Sequence, residues 1–170
     1  MEELILSILV RNSSGVLSRV SGLFSRRGYN IDSLTVGPTN NDDISRMTVV
    51  AQGDQQILEQ IEKQLRKLED VIEIFALPRS SSVYRELVMV KVEANANVRA
   101  DIVSIVDIFR AKIVDVSPDS MVIEVTGDHS KVNGLLAMLD GFNIVEIVRT
   151  GLAGISRGLS DFDIKNVKDK

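Results

Sequence analysis

The sequence predicts an α+β protein of two tandem ferredoxin-like units, each running β-α-β-β-α-β. Three observations carry the prediction. Strand-period and helix-period apolar patterns alternate in the same order twice along the 170 residues. A Gly-Asp pair, Gly53-Asp54 and then Gly127-Asp128, leads into the second helix of each half. A short polar linker, Pro78-Arg79-Ser80-Ser81-Ser82, separates the halves and is too short to let them wander far.

In the first half an apolar strand over residues 4–10 meets the polar turn Asn12-Ser13-Ser14-Gly15, which leads directly into an amphipathic helix over 15–27. Val16, Leu17, Val20, Leu23 and Phe24 follow one-face helical spacing, and the Ser/Asn run supplies cap candidates for the free N–H groups. Gly28 closes the helix, since glycine reaches the left-handed conformation without a Cβ penalty. A strand over 29–36, a loop of turn-forming residues from Gly37 to Asp43 and a strand over 44–51 follow. Asp54 is placed to cap a helix running to about Lys67, striped by Ile57, Leu58, Ile61, Leu65 and Leu68. Residues 71–77 complete the unit as its fourth strand.

The second half repeats the order. A strand over 86–92 precedes a helix over 99–109 with Ile102, Val103, Ile105, Val106 and Phe109 apolar. A hairpin over 113–116 and 121–126 turns at Pro118-Asp119. A helix over 129–139 carries Val132, Leu135, Leu136 and Leu139, and a strand over 142–149 follows. The boundaries are then 1–77 for the first domain, 78–84 for the linker, 85–158 for the second domain and 159–170 for a charged, frayed tail. Units of roughly 70–75 residues bury too little surface to be robust alone, so each needs a second surface. Strand residues such as Ile8, Val10, Met47 and Val49 are read as an aliphatic sheet face that association would cover, chiefly through residues 1–77 of a homodimer.

Composition excludes several classes of function. A net charge of −4, 4% aromatics and no tryptophan argue against a nucleic-acid surface. The absence of cysteine excludes disulfides, thiolate metal sites and a thiol-based metallochaperone. No apolar run approaches the ~18 residues of a membrane span, and the acidic start MEELILSILV has the pattern of neither a signal nor a transit peptide. The expected location is the cytoplasm.

No catalytic residue is expected. His129, the one histidine, follows Asp128 at a helix start without a nucleophile motif, and reads as a solvated cap residue. Asp42-Asp43 sit among turn formers, so no metal site is assigned. Glu59/Lys63 and Glu62/Arg66 are i, i+4 pairs of a solvated helix face, and Arg26-Arg27 complement a helix C-terminus. Phosphate-loop, dinucleotide-fold and nucleophile-elbow patterns are all missing. Gly15 has two readings: relief of a tight turn, or access for an anionic ligand to the backbone amides at a helix start. Pattern alone favours the first.

The stretch RNSSGVLSRVSGLFSRRGYNIDSLTVGPT over residues 11–39 resembles the small, regulatory subunit of acetolactate synthase (acetohydroxyacid synthase), whose first domain is an ACT domain. The resemblance continues in order through Ser45-Arg46-Met47-Thr48-Val49, Leu58-Glu59-Gln60-Ile61-Glu62-Lys63-Gln64-Leu65, Arg85-Glu86-Leu87-Val88-Met89-Val90-Lys91-Val92 and the Arg149-Thr150-Gly151 to Ser156-Arg157-Gly158 segment. It implies an effector site formed by Asn12, Gly15, Val16 and Leu17 of one subunit with Asn30 and Ile31 of its neighbour. Amides from Gly15 to Leu17 would take a ligand carboxylate, and either asparagine can both donate and accept. Val16, Leu17 and Ile31 would wall a branched side chain. A Gly15→Asp change would be tolerated by the fold if Gly15 has ordinary helical dihedrals.

The implied function is regulatory. Such a subunit binds valine or another branched-chain amino acid, raises the activity of a separate catalytic (large) subunit and imposes feedback on branched-chain amino-acid synthesis. Thiamine diphosphate, Mg²⁺ and FAD would reside on that partner, a transferase, with no cofactor in this chain. The alternative is a stand-alone ACT-type amino-acid sensor acting on a different enzyme.

Overall fold

The structure, a computed structural model, describes residues 2–158. The expected tail over 159–170 lies outside the described residues, as does the Leu58 side chain assigned to a helix stripe. Two compact units are formed, one from the residues up to Val83 together with those from Leu152 on, the other from Tyr84–Gly151.

The first unit comprises β1 (Glu2–Arg11), α1 (Val16–Arg26), β2 (Ile31–Pro38), β3 (Ile44–Gly53), α2 (Gln55–Leu65) and β4 (Val71–Ala76). Its antiparallel sheet has the order β2-β3-β1-β4, as the split βαβ arrangement requires. Leu6 lies opposite Val49 and Ile8 opposite Met47 across the central pair. With Val10 and Ala51 these side chains pack against Val20, Leu23 and Phe24 of α1 and Ile61 and Leu65 of α2 in one core. This corrects the reading of Ile8, Val10, Met47 and Val49 as a face awaiting a partner: the chain's own helices cover them, because period-two alternation sends every second strand residue to the helical side. The alternate residues Ile5, Ser7, Leu9, Thr48 and Val50 are buried as well, so this sheet is covered on both faces.

Asp54 caps α2 as expected, its Oδ1 accepting from the Ile57 N–H at 2.8 Å. On the exposed side of α2, Arg66 joins Glu62 at 2.8 Å and Glu73 at 3.3 Å. The Glu62 hydrogen bond, seconded by Glu73 and opposed by desolvation, raises the guanidinium pKa above its ordinary value.

The second unit contains most of β5 (Ser82–Glu93), then α3 (Arg99–Ile108), β6 (Lys112–Val116), β7 (Ser120–Gly127), α4 (His129–Leu139) and β8 (Ile144–Arg149), in the sheet order β6-β7-β5-β8. Val88, Val90, Val92, Ile123 and Val125 meet Ile102, Val106, Val132, Leu135 and Leu139 in its core. The opposite sheet face carries a shallow trough of about 210 Å³ lined by Met89, Lys91, Val122, Glu146 and Val148. The linker is shorter than the expected 78–84, because β5 begins at Ser82 after a 3-10 turn, Arg79–Ser81. Polar Ser82 and Glu86 alternate as buried residues with Tyr84, a strand pattern that hydrophobicity alone hides.

One element has no counterpart in the sequence reading, the four-residue strand β9 (Ala153–Ser156), which pairs with β5. Leu152 N–H donates to Ser33 Oγ at 2.7 Å, and Thr35 Oγ1 donates to Leu152 O at 3.1 Å. Gly154 N–H donates to Thr48 Oγ1 at 3.3 Å, and Arg157 N–H to Ser81 O at 2.8 Å. The segment assigned by sequence to the end of an 85–158 domain therefore contacts the first unit from Leu152 onward. Strand hydroxyls, and not a hydrophobic stripe, hold it there.

Candidate functional site

The turn between β1 and α1 is built around Gly15, whose dihedrals are φ 83° and ψ −9°. An L side chain rarely adopts this left-handed conformation. The sequence expectation that Gly15→Asp leaves the fold untouched, conditional on helical dihedrals, is corrected accordingly. Neither Ser13 nor Ser14 caps the helix: Gly15 occupies the cap position and has no side chain to accept from the first turn. The amides of Leu17 and Ser18 consequently point outward without a main-chain acceptor, at the positive end of the helix dipole. Gly28 ends α1 as expected, at φ 70°.

Asn12 is fixed from two directions. Its N–H donates to Asp43 O at 2.7 Å, and its Nδ2 donates to Asp42 O at 2.8 Å. Asp43 N–H is in turn held by Asn41 Oδ1 at 3.0 Å. The acidic loop thus positions Asn12 through main-chain carbonyls, and no group of three metal-ligating side chains occurs among the described residues. With Nδ2 engaged in this way, Oδ1 is the acceptor that the side chain has left.

The apolar candidates divide. Val16 is buried in the first core. Leu17 is 43% exposed on the first turn of α1. Ile31 is half-buried against the core at the start of β2, and exposed Asn30 beside it donates through Nδ2 to Asp32 Oδ1 at 2.6 Å. Asn12 to Leu17 and Asn30 to Ile31 lie at opposite ends of α1, an 11-residue helix that at 1.5 Å per residue spans roughly 16 Å. One chain does not bring the two halves of the expected site together.

Arg19, which sequence reasoning passed over, leans onto the turn. Its Nε meets Asp70 Oδ2 at 2.5 Å, and its Nη1 lies 3.1 Å from where a Gly15 Cβ would stand. The i, i+4 spacing from Gly15 is a readable signal, whereas the Asp70 partner arrives from the α2–β4 turn and leaves no local trace. His129, at the start of α4, is largely exposed with Nδ1 3.8 Å from the buried Glu86 carboxylate. Asp128, its sequence neighbour, caps α4 by accepting from Lys131 N–H at 2.9 Å and so does not orient the imidazole.

The first unit is a split βαβ fold with a glycine-centred turn at its first helix, and its family match makes it an ACT-type module. Residues 6–73 match the family described as AHAS small subunit-like ACT domain, and residues 85–158 match the family described as small subunit of acetolactate synthase. The chain belongs to the acetolactate synthase small-subunit family. It is 50% identical over 155 residues to a probable acetolactate synthase small subunit of Methanothermobacter thermautotrophicus, covering 91% of this chain and 92% of that one. It is 47% identical to the small subunit of acetolactate synthase isozyme 3 of Escherichia coli, covering 91% and 95%. The crystal structure of the acetolactate synthase small subunit from Thermotoga maritima aligns with a TM-score of 0.87 at 38% identity, over 94% of this chain and all of that one.

Proposed function

We propose that the chain regulates an acetolactate synthase: it activates a separate catalytic subunit and confers feedback inhibition by valine or a related branched-chain amino acid. The observation that carries the reading is the left-handed Gly15 turn, which leaves the Leu17 and Ser18 amides without a main-chain acceptor in the same turn as Asn12. The amides suit an α-carboxylate and the amide oxygen suits an α-ammonium, while Leu17 offers apolar surface. Asn30 and Ile31 would come from a second copy. Among the described strands β2 pairs with β3 alone, so its other edge is available for two-fold pairing with a second β2. Thiamine diphosphate, Mg²⁺ and flavin belong to the catalytic partner in this reading.

Reconstitution tests the proposal. The purified chain alone should form no acetolactate from pyruvate, its addition should raise the catalytic subunit's rate, and valine should lower the reconstituted rate. An unchanged rate at excess chain refutes the regulatory role. Activation without any amino-acid response refutes the effector site alone.

A further inference from the structure

The two units repeat in register as well as in order. The β1–β4 pairing slips between Leu9 and Val10, and the β5–β8 pairing slips at the same place, between Lys91 and Val92. Beyond each slip the main-chain bonds recur. Arg11 N–H donates to Asp70 O and Glu93 N–H to Asn143 O, both at 2.9 Å. Asn12 N–H donates to Asp43 O and Ala94 N–H to Asp119 O, both at 2.7 Å. After the first helix of each unit, Tyr29 N–H reaches Phe24 O at 3.0 Å and Ala111 N–H reaches Val106 O at 2.9 Å. The residues before these are left-handed in both units, Gly28 at φ 70° and Arg110 at φ 49°. A constant offset therefore aligns Asn12 with Ala94, Gly15 with Asn97, Val16 with Val98, Leu17 with Arg99 and Asn30 with Lys112.

At the aligned turn the second unit also starts its helix without a side-chain cap, but it lacks the first unit's asparagine amide and left-handed glycine. Ala94 has no side-chain amide, and Asn97 is not left-handed, Arg110 being the one positive-φ residue other than glycine among those described. Val98 enters α3 at φ −104° and ψ −9°, with no side-chain cap. Arg99 then reaches back from the first residue of α3. Its Nε donates to Ala94 O at 3.0 Å, and its Nη2 donates to Ser117 O in the β6–β7 hairpin. The same tie exists in the first unit, where Asn12 Nδ2 joins the turn to the β2–β3 loop through Asp42 O. The difference is what does the tying. A short amide anchored within the turn leaves the helix start open, whereas a guanidinium hung from the first residue of the helix bridges turn and hairpin and holds a carbonyl of each.

We infer that Arg99 is a built-in occupant that closes the second unit's counterpart of the effector turn, so that each chain binds one amino acid, on its first unit only. The stoichiometry rests on the functional reading above; the closure by Arg99 does not. Hydrogen exchange of the full chain, followed by mass spectrometry with and without valine, separates the two. Without ligand, Arg99→Leu should speed exchange over residues 95–102 and 117–120 about tenfold, the effect of losing a charged hydrogen bond, and leave residues 12–20 unchanged. Arg99→Lys, which keeps one donor, should give a smaller acceleration and guards against a leucine variant that fails to fold. Exchange unaffected by both substitutions overturns the closure. In the wild-type chain valine should slow exchange over 12–20 and not over 95–102, with calorimetry saturating at one valine per chain. Protection over 95–102, or saturation at two, overturns the assignment of binding to the first unit alone. Failure to bind any branched-chain amino acid defeats the effector reading and leaves Arg99 to be judged by the ligand-free exchange.

Discussion

The side-chain amide of Asn12 donates to the main-chain carbonyl of Asp42 at 2.8 Å, joining the turn after β1 to the loop between β2 and β3. Asn12→Ala should remove both the anchor and the acceptor, weakening valine inhibition of the reconstituted enzyme by about one to two decades. Asn12→Asp keeps an acceptor, loses the donor to Asp42 and sets a carboxylate against the Asp42 carbonyl, so the anchor of the turn is lost. It should also weaken inhibition. Inhibition curves for the two variants that coincide with wild type would remove Asn12 from the site.

Gly15 bears a conformational load in addition to any role in binding. Gly15→Ala places a Cβ on a residue at φ 83°, close to the Arg19 guanidinium, and should destabilise the chain by about 1–2 kcal/mol in denaturant unfolding. Gly15→Asp should abolish the valine response, but its stability must be measured alongside, because the same strain applies. The informative result is a Gly15→Asp chain that still activates the catalytic subunit and no longer answers to valine. A full valine response in that variant would rule out the amide turn.

Dimerisation is expected to depend on the free edge of β2. The wild-type chain should sediment as a dimer at micromolar concentration with or without valine. Val36 is 50% exposed on that strand, and Val36→Lys should shift the chain toward monomer, since a lysine on a strand edge opposes pairing. Valine sensitivity should fall in parallel. A monomeric wild type would leave Asn30 and Ile31 unable to join Asn12 and Gly15.

Much of the order of elements was legible from period and punctuation. Gly28, Asp54 and the Gly-Asp pairs announce helix ends because capping chemistry is local. The positions of Asn12 and Gly15 were legible too. Their geometry was not: the engaged donor of Asn12 depends on Asp42, which the loop brings in from far along the chain, and the left-handed dihedral of Gly15 has no side chain to announce it. Helical spacing marks Val16 as apolar without telling core from rim, and the structure places it in the core. Strand β9 escaped because four residues flanked and interrupted by glycine carry no period, and its anchors are hydroxyls on distant strands.

Those hydroxyls can be removed singly. Ser33→Ala deprives Leu152 N–H of its acceptor, and Thr48→Val does the same to Gly154 N–H. Each should cost about 0.5–1.5 kcal/mol of stability, with faster amide exchange confined to residues 152–157. Exchange that stays at the wild-type rate in both variants would show the segment to be held by other contacts.

The return of the chain to its first unit after Gly151 has a consequence for biosynthesis. A ribosome that has released the strands and helices up to Val83 has still to make the 68 residues of Tyr84–Gly151 before Leu152 emerges, a delay of roughly 3–14 s at usual elongation rates. Throughout that interval Ser33, Thr35 and Thr48 lack the strand they will hold, and the nascent first unit has one sheet face incompletely roofed. A premature stop at the codon of Leu152 would fix that state permanently. A nonsense lesion there should accordingly act on the amino-terminal half of the protein.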